Sequence, residues 1–295
     1  MDRLEAMSVL LAVVEAGTLS AAARRLGLPL ATVSRNISDL EARLKTRILN
    51  RSTRQTSLTD AGRAYVAACK RILEQVDEAE AEASGEFSAP RGSLSITAPI
   101  LFGRMHVLPL ALQFLQAYPD IDLAIDLSDR IVNLLDGHLD LAVRIGDLED
   151  SALVATRIGS IRRITCASVE YLDRRGRPRQ PADLQDHDCI TFANLGSPQG
   201  WRFRGDDAPV PVRSRLTVNT AEAAIDAVVA GLGLTRVLSY QIAAELDAGK
   251  VQIVLADFEM PPWPVSLVYP GQGLLPQKLR AFLDFATPRL RTQLA

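Results

Sequence analysis

Apolar side chains in the first part of the chain recur every three or four positions, the spacing that places them on one face of a helix. A first amphipathic helix, ending at Gly17, is predicted by Leu4, Met7, Leu11 and Val14. Another, opening at Pro29, is predicted by Val33, Ile37, Leu40 and Leu44. Between them, residues 20–27 predict a short helix with Ser20 as N-terminal cap and Gly27 in the left-handed conformation at its end. This succession predicts a helix-turn-helix.

The face of the last of these helices that lies opposite its apolar residues is rich in small and hydrogen-bonding side chains. Such side chains suit a helix that lies against base edges in a major groove. Together with Ser20, the candidate DNA contacts are Leu30, Ala31, Thr32, Ser34, Arg35, Asn36 and Ser38. An ordinary helical hairpin on another kind of domain has a similar Ala-rich composition, so the motif alone does not decide between the two.

Residues 48–59 alternate polar, β-branched and basic side chains, which predicts a small two-stranded wing. Its tip is expected to bring cations to the DNA backbone through Arg51, Ser52, Thr53 and Arg54. Residues 1–70 contain eleven Lys and Arg against six Asp and Glu, although the whole chain has a net charge of −2. A basic first segment on an acidic remainder indicates that one domain meets DNA and the other does not.

One further pattern combines five stretches, Ser20-Ala-Ala-Ala-Arg-Arg-Leu-Gly27, Val33-Ser-Arg-Asn-Ile37, Leu40-Glu41, Arg51-Ser-Thr-Arg54 and Leu58-Thr-Asp-Ala-Gly62. In this combination the chain resembles the LysR-type transcriptional regulators. The resemblance runs along the entire chain and is densest over residues 20–62. Many members have Ser-Gln in place of Pro29-Leu30, so a Gln base contact is not carried over. Many also have Gly and Phe in place of Lys45 and Leu49, and this variant pattern is similar to the CrgA-like subgroup.

A long helix is predicted after Thr59, over residues 60–84, with an apolar seam at Tyr65, Cys69, Ile72, Val76 and Ala79. The seam packs either on its own domain or on a second copy. The resemblance implies the second, a dimer linker, and hence a dimer or tetramer that binds an interrupted inverted repeat in double-stranded DNA. The domains are then a winged helix-turn-helix at 1–59, a dimerisation helix and hinge at 60–89, and an effector-binding domain at 90–295.

The remaining chain alternates strand-like and helical runs, which predicts a parallel α/β sheet. Strands are expected at 94–97, 123–127, 141–145, 163–167, 189–192, 232–236 and 265–269, with helices at 104–117, near Val132 and at 221–230. The resemblance implies a type 2 periplasmic-binding-protein fold of two lobes. Lobe one is then about 90–163 and 267–295 and lobe two about 164–266, with crossovers near 165–168 and 264–268.

A ligand cleft is expected where strands end and helices begin, because free helix amides there attract anions such as a carboxylate. The candidate effector contacts are Thr97, Ala98, Pro99, Ile100, Leu101, Arg144, Ile145, Gly146, Thr191, Phe192, Asn219 and Thr220. Local capping or core packing is the alternative for each of them. Arg144 could pair with a ligand carboxylate or with Asp129, Asp140 or Asp147.

Other chemistry is sparse. His106, His138 and His187 lack metal-ligand spacing, and no catalytic residue, metal site or cofactor is predicted. Three cysteines without a C-x-x-C motif favour a reducing cytoplasm, although thiol sensing by Cys166 and Cys189 stays open. No run is expected to approach the roughly 18 apolar residues that span a membrane.

The sequence therefore predicts a cytoplasmic transcriptional regulator whose activity depends on a small molecule between two α/β lobes, with RNA polymerase as a further expected partner. A solute-binding protein or small-molecule enzyme with an incidental N-terminal helical domain is the alternative. An architectural DNA-binding protein without a ligand is a second rival, and the length of the α/β region argues against it.

Overall fold

The structure is a computed structural model that describes residues 2–51, 56–84, 89–130, 134, 139–148, 153–192, 200–206, 208–271 and 275–294. The chain forms two compact units, Met1–Gly92 and Ser93–Ala295. Each unit has its own hydrophobic core, and each is described by itself.

The first unit contains α1 (Arg3–Ala16), α2 (Leu19–Leu26), α3 (Leu30–Leu44), β1 (Leu49–Arg51), β2 (Thr56–Leu58) and α4 (Asp60–Ser84). Its core confirms the predicted apolar face of α3 at Val33, Ile37 and Leu40, which are fully buried, although Leu44 is 37 % exposed. The predicted face of α1 is wrong in detail, because Leu10 and Val13 are fully buried there, whereas the predicted residues are only half-buried, namely Leu4, Met7, Leu11 and Val14. The strands β1 and β2 pair antiparallel, with Leu49 opposite Leu58. Residues 52–55, at the tip of the predicted wing, lie outside the described residues.

The helix boundaries in this unit differ in detail from the prediction. Thr18, and not Ser20, caps α2, because its backbone is extended and its Oγ1 accepts a hydrogen bond from the Ala21 amide at 3.1 Å. Gly27 ends α2 in the left-handed region, at φ 66°, as expected. Pro29 lies at the N-cap of α3, one residue before the first helical position. Thr59 caps α4, since its Oγ1 accepts from the Gly62 amide at 2.9 Å.

The second unit begins with β3 (Gly92–Ala98), α5 (Ile100–Phe102), a π-helical turn (Gly103–Val107), α6 (Leu108–Ala117), β4 (Ile121–Leu127), β5 (Leu141–Ile145) and β6 (Leu153–Ile161). It continues with β7 (Arg163–Ser168), α7 (Val169–Arg175), β8 (Asp188–Phe192), β9 (Arg213–Val218), α8 (Ala221–Val229), β10 (Leu234–Leu238), α9 (Ala243–Asp247) and β11 (Val251–Val254). It ends with β12 (Trp263–Pro270) and α10 (Gln277–Gln293).

Two five-stranded sheets define two lobes. The lobe-one sheet has the order β4-β3-β5-β12-β6, and the lobe-two sheet has the order β11-β7-β10-β8-β9. The expectation of a wholly parallel sheet is wrong, because β12 runs antiparallel to β5 and β6, and β7 runs antiparallel to β10 and β11. These antiparallel strands are the ones next to the two crossings. The chain crosses at Arg162 and again between Val254 and Trp263, in both cases before the predicted crossovers.

The predicted strands of this unit are found, whereas β6, β9 and β11 were not predicted. The burial of β6 and β9 follows no regular alternation, so neither has the period-two signal by which a strand is recognised. The helix expected at 104–117 already begins at Ile100, and the residues around Val132 lie outside the described part of the chain.

One helical stretch of the described residues, Ile100–Ala117, is long and apolar enough to cross a membrane. The expectation that no run approaches this length is therefore wrong. Phe102, Leu110 and Phe114 of this stretch lie in the lobe-one core. A core helix of this kind meets the same criteria of length and composition as a membrane span. The bent pair α1 and α2 meets them only if the two helices are taken together.

Candidate functional site

The exposed face of α3 is the candidate DNA-contact surface. Ala31, Thr32, Arg35 and Ser38 are exposed, and Leu30 is 50 % exposed. Ser34 is half-buried, and its carbonyl accepts the Ser38 hydroxyl at 2.9 Å. Small side chains thus surround one long cation, an arrangement that lets a helix approach base edges closely.

Asn36 does not belong to this face. It is 5 % exposed, and among the described residues its Nδ2 has no hydrogen-bond partner. The prediction that Asn36 is available to DNA is therefore wrong. Its position explains the error, because Asn36 lies three residues after Val33 and four before Leu40, at the spacing of the buried face.

The other predicted DNA contacts are described only in part. Ser20 is exposed, and its hydroxyl lies 3.3 Å from the Thr18 Oγ1. The side chain of Arg51 and the whole of Ser52, Thr53 and Arg54 lie outside the described residues. The wing contacts stay predictions.

The apolar seam of α4 divides into two parts. Cys69 is fully buried in the core of the first unit, and Tyr65 packs against that core. Burial raises the pKa of the Cys69 thiol. Cys69 is therefore not available to a second copy, contrary to the predicted dimer seam. Ile72, 37 % exposed, half-buried Val76 and exposed Ala79 lie further along the helix.

The lobe-one residues of the predicted cleft cluster at the start of α5. Thr97 and Ala98 are fully buried, Leu101 is 5 % exposed, and Pro99 and Ile100 are half-buried. The Ile100 amide donates to Asp129 Oδ1 at 3.0 Å, so the chain's own carboxylate occupies the helix start where a ligand anion was expected. Burial, and repulsion from Glu222 in lobe two, raise the pKa of Asp129.

The lobe-two residues of the predicted cleft are largely engaged within their own lobe. Thr191 is buried and donates to Ser214 Oγ at 2.7 Å, while Phe192 lies in a lobe-two core. Thr220 caps α8 by accepting the Ala223 amide at 3.4 Å, and Asn219 is exposed.

Arg144, Ile145 and Gly146 are half-buried at the end of β5. Burial lowers the pKa of Arg144. The Gly146 amide donates to the Pro264 carbonyl at 2.9 Å, which ties the end of β5 to the start of β12.

Three aromatic side chains, Phe102, His106 and Tyr240, join the two lobes through contacts that the sequence did not predict. Tyr240, which follows β10, has its ring 5.6 Å from Phe102 and 5.7 Å from His106, both edge-on. Burial raises the pKa of Tyr240 and lowers that of His106. No local signal could have paired Tyr240 with Phe102 or His106, because Tyr240 lies on the other lobe and far away in the sequence.

The histidines and cysteines provide no further chemistry in the part of the chain that the structure describes. Its His, Cys, Asp and Glu residues form no group that could hold a metal ion. Cys166 and Cys189 are fully buried, and burial raises the pKa of each thiol to about 12. They belong to different cores, and β10 separates their strands. Little thiolate exists at neutral pH, which argues against thiol sensing.

Comparison with known proteins agrees with this geometry. Residues 4–63 match the bacterial regulatory helix-turn-helix protein, lysR family, and residues 88–291 match the LysR substrate binding domain. The chain therefore belongs to the LysR family. It is a DNA-binding transcriptional regulator with an effector domain.

Individual relatives match over nearly the whole chain. An HTH-type transcriptional regulator of Xanthomonas campestris is 37% identical over 94% of this chain and 83% of its own length. An HTH-type transcriptional repressor of Pseudomonas aeruginosa is 35% identical over 97% of this chain and 91% of its own. The structure of CrgA from Neisseria meningitidis, a LysR-type transcriptional regulator, matches with a TM-score of 0.62 and 31% identity, covering 98% of this chain and 99% of that one. The chain is thus CrgA-like.

Proposed function

We propose that the chain binds an interrupted inverted repeat in double-stranded DNA as a homodimer or homotetramer, with α3 in the major groove. The observation that supports this most strongly is the exposed polar face of α3 around Arg35. One small DNA-binding unit contacts few bases, so two units spaced by whole helical turns of about 34 Å supply the missing specificity.

Self-association has support in both units. Ile72, Val76 and Ala79 continue the seam of α4 beyond the core of the first unit. In the second unit, Met105, Leu108 and Leu112 are 44 %, 40 % and 56 % exposed on one helical stretch. Exposed apolar side chains at helical spacing favour contact with another protein surface.

The effector is a small molecule bound between the two lobes, where Tyr240 contacts Phe102. It acts by changing lobe closure and thereby the spacing of the paired DNA-binding units. Only a ligand with different affinities for the two arrangements can shift this equilibrium. The sequence favoured a carboxylate, but Asp129 already accepts the Ile100 amide and Glu222 repels Asp129. A carboxylate must therefore displace Asp129 or use other donors, and an effector screen should include amines.

We place the protein in the cytoplasm, expect RNA polymerase as a partner, and expect no catalytic activity. The decisive experiment is selection from random duplexes, with the chain's own upstream region alongside, at several salt concentrations. Enrichment of an interrupted inverted repeat that Arg35→Ala abolishes supports the proposal. Arg24→Ala, at an exposed position near the end of α2, is the matched control that should leave the selected sequence unchanged.

The opposite outcome is uniform, weak binding that disappears with added salt, since phosphate contacts alone give that behaviour. It would favour the solute-binding or small-molecule enzyme alternative. The cleft would then be tested directly with metabolite panels.

A further inference from the structure

Two arginines of the lobe-two sheet bury N–H groups for which the described residues offer no acceptor. Arg236 on β10 is 7 % exposed, and its Nε and Nη2 have no hydrogen-bond partner there. The Nε of Arg163 on β7 is buried and unpartnered in the same way. Arg163 lies opposite Leu238, two residues beyond Arg236, so the two arginines are diagonal neighbours on one face of the sheet.

Aromatic rings cover these guanidinium groups. The Arg163 Cζ lies 3.9 Å from the centroid of the Trp263 ring, and the Arg236 Cζ lies 4.6 Å from that of Phe203. A ring stacked against the plane of a guanidinium leaves its N–H edge free for oxygen acceptors. The rings therefore hold both groups in place without satisfying their donors.

The acidic residues nearby do not satisfy them either. Among the described residues, neither arginine forms an ion pair within 4.0 Å. Glu259 attracts Arg236, but both its carboxylate oxygens are bound by Arg162, at 2.8 Å each. Asp147 attracts Arg163 and is exposed.

The charge on this pair persists at neutral pH. Burial, with repulsion from Arg163, lowers the pKa of Arg236 to about 10, which still leaves it protonated at pH 7. The cost falls mainly on Arg236, because Arg163 is half-buried, whereas the buried Nε and Nη2 of Arg236 lose their hydration and find no acceptor among the described residues. Buried polar groups in native proteins are nearly always satisfied.

We propose that Arg163 and Arg236 bind a small oxyanion with several acceptor oxygens, a dicarboxylate or a phosphate, between their N–H edges. Neither arginine belongs to the predicted effector cleft. Arg163 directly follows the first crossing between the lobes, and Trp263 begins the strand after the second. A bound anion therefore contacts Arg163 directly after the first crossing and acts on the strand after the second only through the contact between Arg163 and Trp263, which favours one angle between the lobes.

The test is thermal unfolding of the full chain with succinate, phosphate or sulfate at low millimolar concentration, against chloride at equal ionic strength. At least one oxyanion should raise the Tm in a saturable manner, as binding to the folded state requires.

Arg236→Leu should abolish this saturable rise, and Arg236→Lys should weaken the apparent affinity for the oxyanion at least tenfold, because a lysine lacks the planar fork of donors. Arg215→Leu is the matched control, since Arg215 is exposed and already paired with Asp188 at 3.1 Å.

Loss of folding would not imitate this result. Arg236→Leu removes an uncompensated buried charge, so its Tm in chloride should equal or exceed that of the wild type. Sulfate stabilises many proteins non-specifically, so the decisive quantity is the difference between the wild-type and Arg236→Leu responses. Equal responses, or none to any of the three oxyanions, overturn the proposal. DNA binding is not measured, so this result is independent of the proposed function.

Discussion

Two helical stretches expose opposite kinds of surface. The exposed face of α3 presents Ala31, Thr32, Arg35 and Ser38, whereas the stretch Ile100–Ala117 exposes Met105, Leu108 and Leu112. Both have buried apolar faces, so amphipathic periodicity alone does not separate them. The two stretches differ in the surface that faces away from the core, and the chemistry of that surface indicates the kind of partner it contacts. A small, polar surface with one cation suits base edges, and a wide apolar surface suits another protein.

The largest expected effect comes from breaking one unit at a time. A Cβ on Gly62 would overlap the carbonyl oxygen of Ile48, and a Cβ on Gly233 would overlap that of Asp188. Gly62→Ala should destabilise the first unit, and Gly233→Ala the second, each by about 2–3 kcal/mol. Urea unfolding, followed separately in each unit, measures the loss of stability in that unit. Gly27→Ala is a milder control, because its positive φ costs about 1 kcal/mol and nothing lies within 4 Å of the added Cβ. Equal losses in both units from either variant would contradict the independence of the two cores.

Arg35 tests the polar surface directly. Arg35→Ala should cost about 1–3 kcal/mol of discrimination between preferred and altered duplexes, the range for one good base contact. Competition binding with matched duplexes measures the ratio, and Arg24→Ala should leave it unchanged. An unchanged ratio for Arg35→Ala would show that α3 does not discriminate bases through this side chain.

Leu112 tests the apolar surface. Leu112→Arg should weaken self-association at least tenfold, about 1.4 kcal/mol, because a charge there must be desolvated on contact. Leu112 is 56 % exposed, so folding should be unaffected. Sedimentation across a range of concentrations measures the change. Gln113→Arg adds the same charge at the neighbouring exposed position. If both variants associate like the wild type, this surface takes no part in the oligomer.

The wing is expected to add affinity without specificity. Arg51→Ala and Arg54→Ala should each reduce the slope of log K against log salt by about 0.9, the value for one phosphate contact. The loss of DNA affinity in each variant should be similar for all duplex sequences. Binding measured at several salt concentrations gives the slope, and a selective loss on one duplex would instead assign these residues to base contacts.

The smallest expected effect is a pH dependence at the cleft. The pKa of Asp129 is raised in the folded state, so that state binds more protons than the unfolded chain above pH 3.8. The contribution of Asp129 to stability is therefore fully present below about pH 3.8 and is lost as pH rises through the folded-state pKa. Urea titrations at several pH values give the free energy of unfolding as a function of pH. Asp129→Asn should remove the part of this pH dependence that Asp129 contributes, and Glu222→Gln should reduce it. An unchanged slope in Asp129→Asn would contradict the assignment.

The first unit could be predicted closely because its signals are local. The spacing of Val33, Ile37 and Leu40 defined a buried face, and Gly27 marked a helix end, without any knowledge of distant residues. The choice between Thr18 and Ser20 as cap was missed because both are good caps, and the position of the extended backbone decides between them.

The candidate effector site could be predicted only as a set of strand ends. Asp129 at the start of α5 and Tyr240 against Phe102 depend on contacts between segments far apart in the sequence. The same holds for Arg163 and Arg236, which strand register brings onto one face. Strand register and lobe packing have no signature within a short window, because a strand's pattern shows which face is buried and not which neighbour it meets.

By itself, then, the sequence determined the helix-turn-helix, the basic first segment and the family, since helix periodicity, capping and charge are properties of nearby residues. Only the tertiary structure decided that Asn36 and Cys69 are buried, that the sheets are mixed, and that the cleft already contains a carboxylate at its helix start. Burial and pairing are set by the remote segments that pack against a residue, and those segments are chosen when the whole chain folds.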